Sequence, residues 1–346
     1  MQVRFNLFFF TLLLSTVSAI GASGKQPSTC GPQVRAAFDV GSGSTKMKVA
    51  KVDTCTQTLI ATILEDQVKV DYRDQLEKSQ DGEFPEPTLQ AGREAFKNLL
   101  AKAKKSGATH FAGVATAAFR SAKNGAVFLT EIKSNLKINI RIISQEEEAH
   151  LGFRAVSQTQ KLPMARILVW DIGGGSQQMM TLNEKSQAVI YDGKLASVSF
   201  KNKVIAQVQN KNINEVNSPN PLSAPQIVAA KKLAQSEARN EVPEPIKTKI
   251  LNMPDLTVVG IGGVLSRSIV DNTPGDKTEI KLEDLEKGLK TKTDKTDAEI
   301  GGEYAATEVT NMVLVSAYMQ ALKIKSYRPL RLSLIDGLWF DADLWE

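Results

Sequence analysis

Asp39-Val40-Gly41-Ser42-Gly43-Ser44-Thr45 and Asp171-Ile172-Gly173-Gly174-Gly175-Ser176 are the two stretches that decide the fold. Each follows an apolar, strand-like run and leads into another such run. A tight Gly/Ser turn between two strands lets backbone N–H groups surround a phosphate, and the acid before the turn faces a metal ion or a water. One such turn is a weak signal, because Gly/Ser turns between strands are common. Two turns in similar halves predict two lobes that clamp one phosphorylated substrate.

The length and the order of segments indicate how these lobes divide the chain. The 346 residues are enough for two domains with full cores. Strand-like and helix-like segments alternate in each half, which favours α/β lobes. We expect an N-terminal lobe over residues 33–160, completed by a C-terminal helix at 336–346, and a C-terminal lobe over residues 165–335. The polar, charged stretch 272–296 is expected at the surface.

The beginning of the sequence has the pattern of a signal peptide. Met1–Arg4 carries a positive charge, Phe5–Val17 is almost entirely apolar, and small residues follow it. This pattern predicts a signal peptide over residues 1–22, with cleavage after Ala19 or Ala22 and export to the periplasm or the medium. The alternative is an uncleaved membrane anchor, but the apolar run is short for a bilayer span. After cleavage we expect no stable membrane insertion.

The only two cysteines, Cys30 and Cys55, lie on either side of the first turn. If residues 34–40 and 46–52 pair antiparallel, the two thiols lie side by side at the open end of the hairpin. An oxidising compartment would close them into a disulfide. The alternative is two unpaired thiols.

The overall charge is modestly basic, with a formal net charge of +5 and a pI near 9.0. Such a balance suits a polyanionic partner. The lysines are spread along the chain and are not interleaved with aromatic residues, so the sequence does not indicate a nucleic-acid surface. For any single run of lysines, a solvated face is the simpler interpretation.

Three further blocks accompany the turns: Ala115–Asn124 (Ala-Thr-Ala-Ala-Phe-Arg-Ser-Ala-Lys-Asn), Ile143–Ala149 (Ile-Ser-Gln-Glu-Glu-Glu-Ala) and Gly260–Gly263 (Gly-Ile-Gly-Gly). In this order the blocks resemble the exopolyphosphatase/guanosine pentaphosphate phosphatase family. The resemblance runs from about residue 33 to the end and is weakest over 201–251. It implies the fold of actin, sugar kinases and heat-shock chaperone ATPases, an α/β fold with two actin-like, ribonuclease H-like lobes around a central cleft.

The resemblance also implies roles for individual residues. Glu148 matches the proposed general base that activates water, with Glu147 beside it as a second acid or a structural residue. Acids at a helix start are also favoured by the helix dipole alone. The Arg120 guanidinium can grip phosphate oxygens, and Asp39 and Asp171 would hold Mg²⁺. The predicted phosphate-binding residues are those of the two turns and of the later glycine pair: Gly41, Ser42, Gly43, Ser44, Thr45, Gly173, Gly174, Gly175, Ser176, Gly262 and Gly263.

The chain departs from the family pattern at His150, where arginine is usual, in the helix around residues 307–315, which lacks the usual arginine and glycine spacing, and in both turns. The second turn is usually followed by a glutamate where this chain has Gln178, and the first turn has Gly43 where asparagine is common. Replacing a carboxylate with a neutral amide is expected to weaken cation binding and to slow turnover.

The sequence therefore predicts hydrolysis of a terminal phosphoanhydride, with either inorganic polyphosphate or guanosine pentaphosphate as the substrate. The alternative, which Gln178 favours, is a degenerate protein that binds polyphosphate or a nucleotide with little turnover. A third possibility, an ATP-driven kinase or chaperone, is disfavoured because such proteins need an adenosine pocket and large inserted subdomains. The oligomeric state stays open, with a homodimer among the options.

Overall fold

Two mixed β-sheets, each containing one of the glycine turns, form the frame of the molecule. The computed structural model describes residues 30–160 and 162–345. The predicted signal peptide, residues 1–22, lies outside the described residues. Within the described part of the chain, no helix combines the length and the apolar character needed to cross a membrane.

The first sheet has the strand order β3-β2-β1-β4-β5. Strands β1 to β3 are antiparallel, and β4 and β5 continue the sheet parallel to β1. Its strands are β1 Pro32–Val40, β2 Ser44–Asp53, β3 Thr58–Lys69, β4 His110–Ala115 and β5 Asn139–Ile142. The helices of this half are α1 Tyr72–Lys78, α2 Glu86–Lys105, α3 Ala117–Ser121, α4 Gly125–Leu136 and α5 Gln145–Thr159.

The second sheet has the strand order β10-β11-β9-β6-β7-β8, with β6, β9 and β11 parallel. Its strands are β6 Ile167–Ile172, β7 Gln177–Leu182, β8 Ala188–Gly193, β9 Thr257–Ile261, β10 Ile280–Lys281 and β11 Ser326–Pro329. The helices of this half are α6 Ser197–Lys203, α7 Ala224–Glu241, α8 Glu244–Asn252, α9 Ile269–Asn272, α10 Leu282–Lys292, α11 Asp297–Ile300, α12 Ala305–Leu322 and α13 Ala342–Trp345. Two π-helical turns, Val204–Val208 and Val264–Ser268, and two 3-10 turns, Met164–Arg166 and Leu334–Gly337, complete the second half.

Each sheet has its own apolar core. In the first, aromatic side chains from β1, α2 and α4 meet, and the rings of Phe38 and Phe96 lie 5.9 Å apart. In the second, α12 is buried along its whole middle, Val309–Met319, because it is apolar on every face and other elements surround it. These two cores hold the two glycine turns in fixed positions.

The C-terminal segment packs on the first sheet. Ile335 and Trp339 lie against Ala37 and Val52, and the Lys48 ammonium bonds the Asp336 carboxylate at 2.9 Å. Where one helix was expected at 336–346, the segment forms a 3-10 turn, Leu334–Gly337, followed by the short helix α13.

Two segments differ from expectation in what they pack against. Helix α5, placed by sequence in the first range, 33–160, sends Phe153 and Val156 into a core formed with β6, β7 and β9. The polar stretch 272–296 contains α10, whose Leu285 and Leu289 are buried. The stretch was expected at the surface because its many charged residues mask the apolar side of this amphipathic helix.

Both Cys30 and Cys55 are disulfide-bonded. The antiparallel register of β1 and β2, with Pro32 opposite Asp53, brings the two ends of the hairpin together as the sequence predicts. The predicted disulfide is confirmed.

Candidate active site

A cleft of about 590 Å³ opens between the two sheets, and both glycine turns line it. All of the predicted phosphate-binding residues except Thr45 contribute to its wall: Gly41, Ser42, Gly43, Ser44, Gly173, Gly174, Gly175, Ser176, Gly262 and Gly263. Thr45 is buried away from the cleft, with its hydroxyl 3.4 Å from that of Tyr72. It faces away because neighbouring residues on a strand point to opposite sides of the sheet.

The two turns touch each other. A Cβ added at Gly174 would lie 2.7 Å from the Cβ of Ser42, and one added at Gly175 would lie 2.7 Å from the Ser42 hydroxyl oxygen. Any side chain at either glycine would therefore push the turns apart. This close approach explains the run of three glycines in the second turn.

The backbone of each turn is oriented to present donors to the cleft. The carbonyls of Ser42 and Gly174 accept hydrogen bonds from the N–H groups of Arg73 and Val198, each at 2.8 Å. Among the described residues, the N–H groups of Ser42, Gly43, Gly174 and Gly175 donate no hydrogen bond. Consecutive free N–H groups of this kind form an anion-binding nest.

Asp39 and Asp171 lie at the ends of β1 and β6 and line the same cleft. Lys46 lies opposite Asp39 in the β1–β2 register, with its ammonium 3.3 Å from the Asp39 Oδ2. Burial raises the pKa of Asp171 to about 6, the Lys46 charge opposes this, and the Asp39 charge adds to it. The two aspartates are therefore close enough to repel each other, with one lysine between them.

This pair of aspartates fits a Mg²⁺ ion shared with a substrate. In residues 30–160 and 162–345, no three His, Cys, Asp or Glu side chains are arranged to hold a metal by themselves. Mg²⁺ is usually held by one or two carboxylates together with waters and substrate phosphates. Asp39 and Asp171 supply that number of carboxylates beside the anion-binding turns.

Glu148 is the buried carboxylate of the cleft, with a side chain only 6% exposed. Its Oε2 accepts hydrogen bonds from Arg120 at 2.7 Å and from the Gln178 amide at 3.4 Å. No hydrogen bond from the described residues ends on Oε1. Burial raises the pKa of Glu148 to about 8, against the opposing effect of the Arg120 charge. Oε1 is thus a basic oxygen available to a water in the cleft.

Arg120 and Glu147 do not line the cleft. Arg120 lies behind Glu148, where its guanidinium also donates to the Ile143 carbonyl at 2.8 Å. Glu147 lies outside the cleft with its side chain 42% exposed. It accepts from the Ser144 N–H in a capping box at the start of α5 and also pairs with Arg141. For Glu147 the structural alternative is the one that the geometry favours.

Gln178 lies opposite Asp171 in the β6–β7 register. It is buried, and its amide donates to the Ser176 hydroxyl at 3.1 Å as well as to Glu148. The position that departs from the family pattern is therefore in contact with the candidate base. The lost carboxylate would have lain at hydrogen-bond distance from Glu148.

Sequence reasoning missed Lys46 and Arg267, both of which line the cleft. The sequence pattern places Lys46 in a strand. A lysine opposite an acid across a hairpin turn also indicates an ion pair beside the site, and this pattern is visible in the sequence. Arg267 lies in the π-helical turn Val264–Ser268, directly after Gly263. Nothing in the sequence marks that turn as π-helical, so the direction of Arg267 was not predictable.

Comparisons with known proteins agree with this geometry. An exopolyphosphatase-like protein of known structure is 19% identical, with a TM-score of 0.70 over 90% of this chain and 97% of its own. An exopolyphosphatase from Cytophaga hutchinsonii is 18% identical, with a TM-score of 0.68 over 89% of this chain and 97% of its own. A Ppx/GppA family member from Aquifex aeolicus is 17% identical, with a TM-score of 0.66 over 90% and 97%.

These structures share the fold of this chain, so the expected α/β fold with two actin-like lobes is confirmed. The model of the Ppx/GppA phosphatase family matches residues 48–326, which is most of the sequence. The protein, with its paired glycine turns and buried Glu148, belongs to the Ppx/GppA phosphatase family.

Proposed function

We propose that this protein is an exported hydrolase that releases the terminal phosphate of inorganic polyphosphate or of guanosine pentaphosphate. The observation that carries the proposal is Glu148, a buried carboxylate that lines the cleft together with both turns and whose Oε1 has no hydrogen-bond partner among the described residues. Membership of the phosphatase family supports hydrolysis of this kind. The choice between the two substrates rests on the sites described below.

The turns bind the terminal phosphates. The free N–H groups of Ser42, Gly43, Gly174 and Gly175 surround the phosphate oxygens, and Lys46 adds a positive charge. Asp39 and Asp171 would hold Mg²⁺, which would supply positive charge to offset that of the phosphates. Binding in this way places the terminal phosphorus within reach of a water beside Glu148.

Glu148 then acts as the general base. Its Oε1 takes a proton from the water, the water oxygen attacks the terminal phosphorus, and the bond from phosphorus to the bridging oxygen breaks. The shortened chain leaves with the electron pair on that oxygen, and phosphate is released. Arg120 holds Oε2 and so fixes the direction of Oε1.

A second candidate function is capture of polyphosphate or a nucleotide with little turnover. Gln178 favours it, because an amide 3.4 Å from Glu148 supplies no negative charge for metal binding. The anion-binding turns are unaffected by this change, so binding would persist without efficient chemistry.

Phosphate release separates these functions. Wild type, Glu148→Gln and the exposed control Glu146→Gln are compared on long-chain polyphosphate, guanosine pentaphosphate and ATP with Mg²⁺. Release that is lost only in Glu148→Gln supports the hydrolase. Tight binding without release supports the capture protein, and turnover of ATP alone contradicts both.

Export has its own test. Residues 1–22 have the pattern of a signal peptide, and the confirmed disulfide suits an oxidising compartment. The intact mass of the protein recovered outside the cytoplasm should correspond to cleavage after Ala19 or Ala22. An uncleaved chain retained with the membrane would contradict export.

A further inference from the structure

We propose that a second groove beside the cleft binds the internal phosphates of an inorganic polyphosphate chain. This Arg331 groove has a volume of about 230 Å³ and lies between β2 and β3 on one side and residues 262–267 and 331–335 on the other. The proposal rests on the proposed function and narrows it to the polymeric substrate.

The groove is continuous with the cleft. Lys46, Arg267 and Ser333 line both cavities, whereas Glu148 lines the cleft alone. Lys46 contacts Asp39, so it lies at the junction, with the aspartates on the cleft side of it. A chain whose terminal phosphate is bound beside Glu148 can therefore continue past Lys46 into the groove.

Once the ion pairs in the groove are taken into account, its uncompensated charge is positive. Lys48 is neutralised by Asp336 at 2.9 Å and by Glu65 at 3.1 Å, and Asp66 is neutralised by Lys102 at 2.6 Å.

Arg331 has no ion-pair partner among the described residues, and Arg267 has only the Glu65 carboxylate at 3.9 Å. Both arginine side chains are thus available to phosphate oxygens, which guanidinium groups can bind in pairs.

The cleft itself also has acids without ion-pair partners among the described residues. Asp271 and Glu303 line it, and neither carboxylate is ion-paired within the part of the chain that the structure describes. Tyr304 lies beside them, 38% exposed. A polyanion would be repelled there and attracted to the arginines. The uncompensated charge of Arg331 and Arg267 therefore makes the groove the favourable route for the internal phosphates.

The test is Arg331→Glu against Arg328→Glu. Both arginines are exposed and only three positions apart, but Arg328 does not line the groove. Dissociation constants for long-chain polyphosphate are measured in a Glu148→Gln background, which needs no turnover. Arg331→Glu should weaken binding about fivefold more than Arg328→Glu, with a weaker dependence on salt. Tripolyphosphate is too short to extend from the cleft into the groove. Its dissociation constant should therefore change little, and by the same amount, in the two variants.

Equal weakening by the two variants would overturn the proposal, and so would an equal loss for long-chain polyphosphate, tripolyphosphate and guanosine pentaphosphate. Arg331→Met, which removes the charge without reversing it, should show a smaller loss in the same direction. Failure of the wild type to release phosphate from any substrate would overturn the proposed function. The dissociation constants would still show whether the groove binds polyphosphate.

Discussion

The two hairpins of this protein have nearly the same turn but different residues behind it. In the first, the Gly41 N–H donates to the Ser44 carbonyl at 3.0 Å, and in the second the Gly173 N–H donates to the Ser176 carbonyl at 2.9 Å. Opposite the aspartate, however, the first hairpin has Lys46 and the second has Gln178. The first aspartate therefore has its own cation, and the second does not.

This difference shows how charge is balanced in the cleft. Asp39, Asp171 and Glu148 are three carboxylates, and Lys46 and Arg120 are the two cations in contact with them. With all five groups ionised this cluster lacks one positive charge. A divalent ion or a proton on Glu148 would supply it, which is consistent with a Glu148 pKa of about 8.

The largest expected effect tests the base that adjoins the second hairpin. Glu148→Gln should lower kcat by about a thousandfold, because the amide cannot take a proton from water. Phosphate release at saturating polyphosphate and Mg²⁺ measures it. Glu146→Gln on the exposed side of α5 and Glu147→Gln in its capping box should both keep most of the activity. A similar loss in Glu147→Gln would contradict the placement of that residue outside the site.

A smaller but still large effect is expected from pH. Glu148 must be ionised to act as a base, and its pKa is about 8. Its ionised fraction is about one half at pH 8 and about one hundredth at pH 6, so kcat should fall about fiftyfold between these values. Rates measured at fixed, saturating Mg²⁺ test this. A flat profile between pH 6 and 9 would exclude Glu148 as the base.

The same pKa predicts a stability effect of defined sign. Because the folded pKa of Glu148 lies above its usual 4.5, the folded state holds more protons than the unfolded state between about pH 5 and 8. Stability therefore falls as pH rises through this range. Glu148→Gln lacks the titrating group. The melting temperature of the variant minus that of wild type should therefore increase as the pH rises.

An intermediate effect tests the cation of the first hairpin. Lys46→Met leaves Asp39 and Asp171 facing each other without compensation, so the free energy of unfolding without Mg²⁺ should fall by about 1 kcal/mol. Mg²⁺ should then raise the melting temperature more in the variant than in wild type. Lys51→Met, on an exposed position of β2, is the control. If Mg²⁺ raises the melting temperature equally in all three proteins, Lys46 does not influence the metal site.

The smallest effect tests the neutral residue of the second hairpin. Gln178→Glu restores a carboxylate beside Glu148, which should strengthen Mg²⁺ binding and raise the rate about threefold at subsaturating Mg²⁺. Gln187→Glu adds the same charge on the exposed β7–β8 connection. A slower Gln178→Glu variant would show that the amide is needed as a hydrogen-bond donor to Glu148.

The hairpins, the disulfide and the glycine-rich part of the cleft wall could be predicted from the sequence because these depend on local patterns. Glycine turns, strand alternation and the spacing of Cys30 and Cys55 are visible within short windows. Glu148 was also found, although only by its resemblance to a family motif.

What the sequence could not predict depends on contacts between distant segments. Arg120 stays a predicted phosphate ligand, and its contacts to Glu148 and to the Ile143 carbonyl join segments that no local pattern brings together. Glu147 and Glu148 are neighbours, yet one caps α5 and the other enters the cleft, since successive helical residues point about 100° apart. The Arg331 groove joins residues more than 200 positions apart, and no local pattern signals it.

The contact between Ser42 and the glycines of the second turn has a directional consequence. Since not even a methyl group fits between Ser42 and these glycines, the two tips form one continuous surface. Any ligand of the turns is therefore held on the cleft face of this contact and not between the tips.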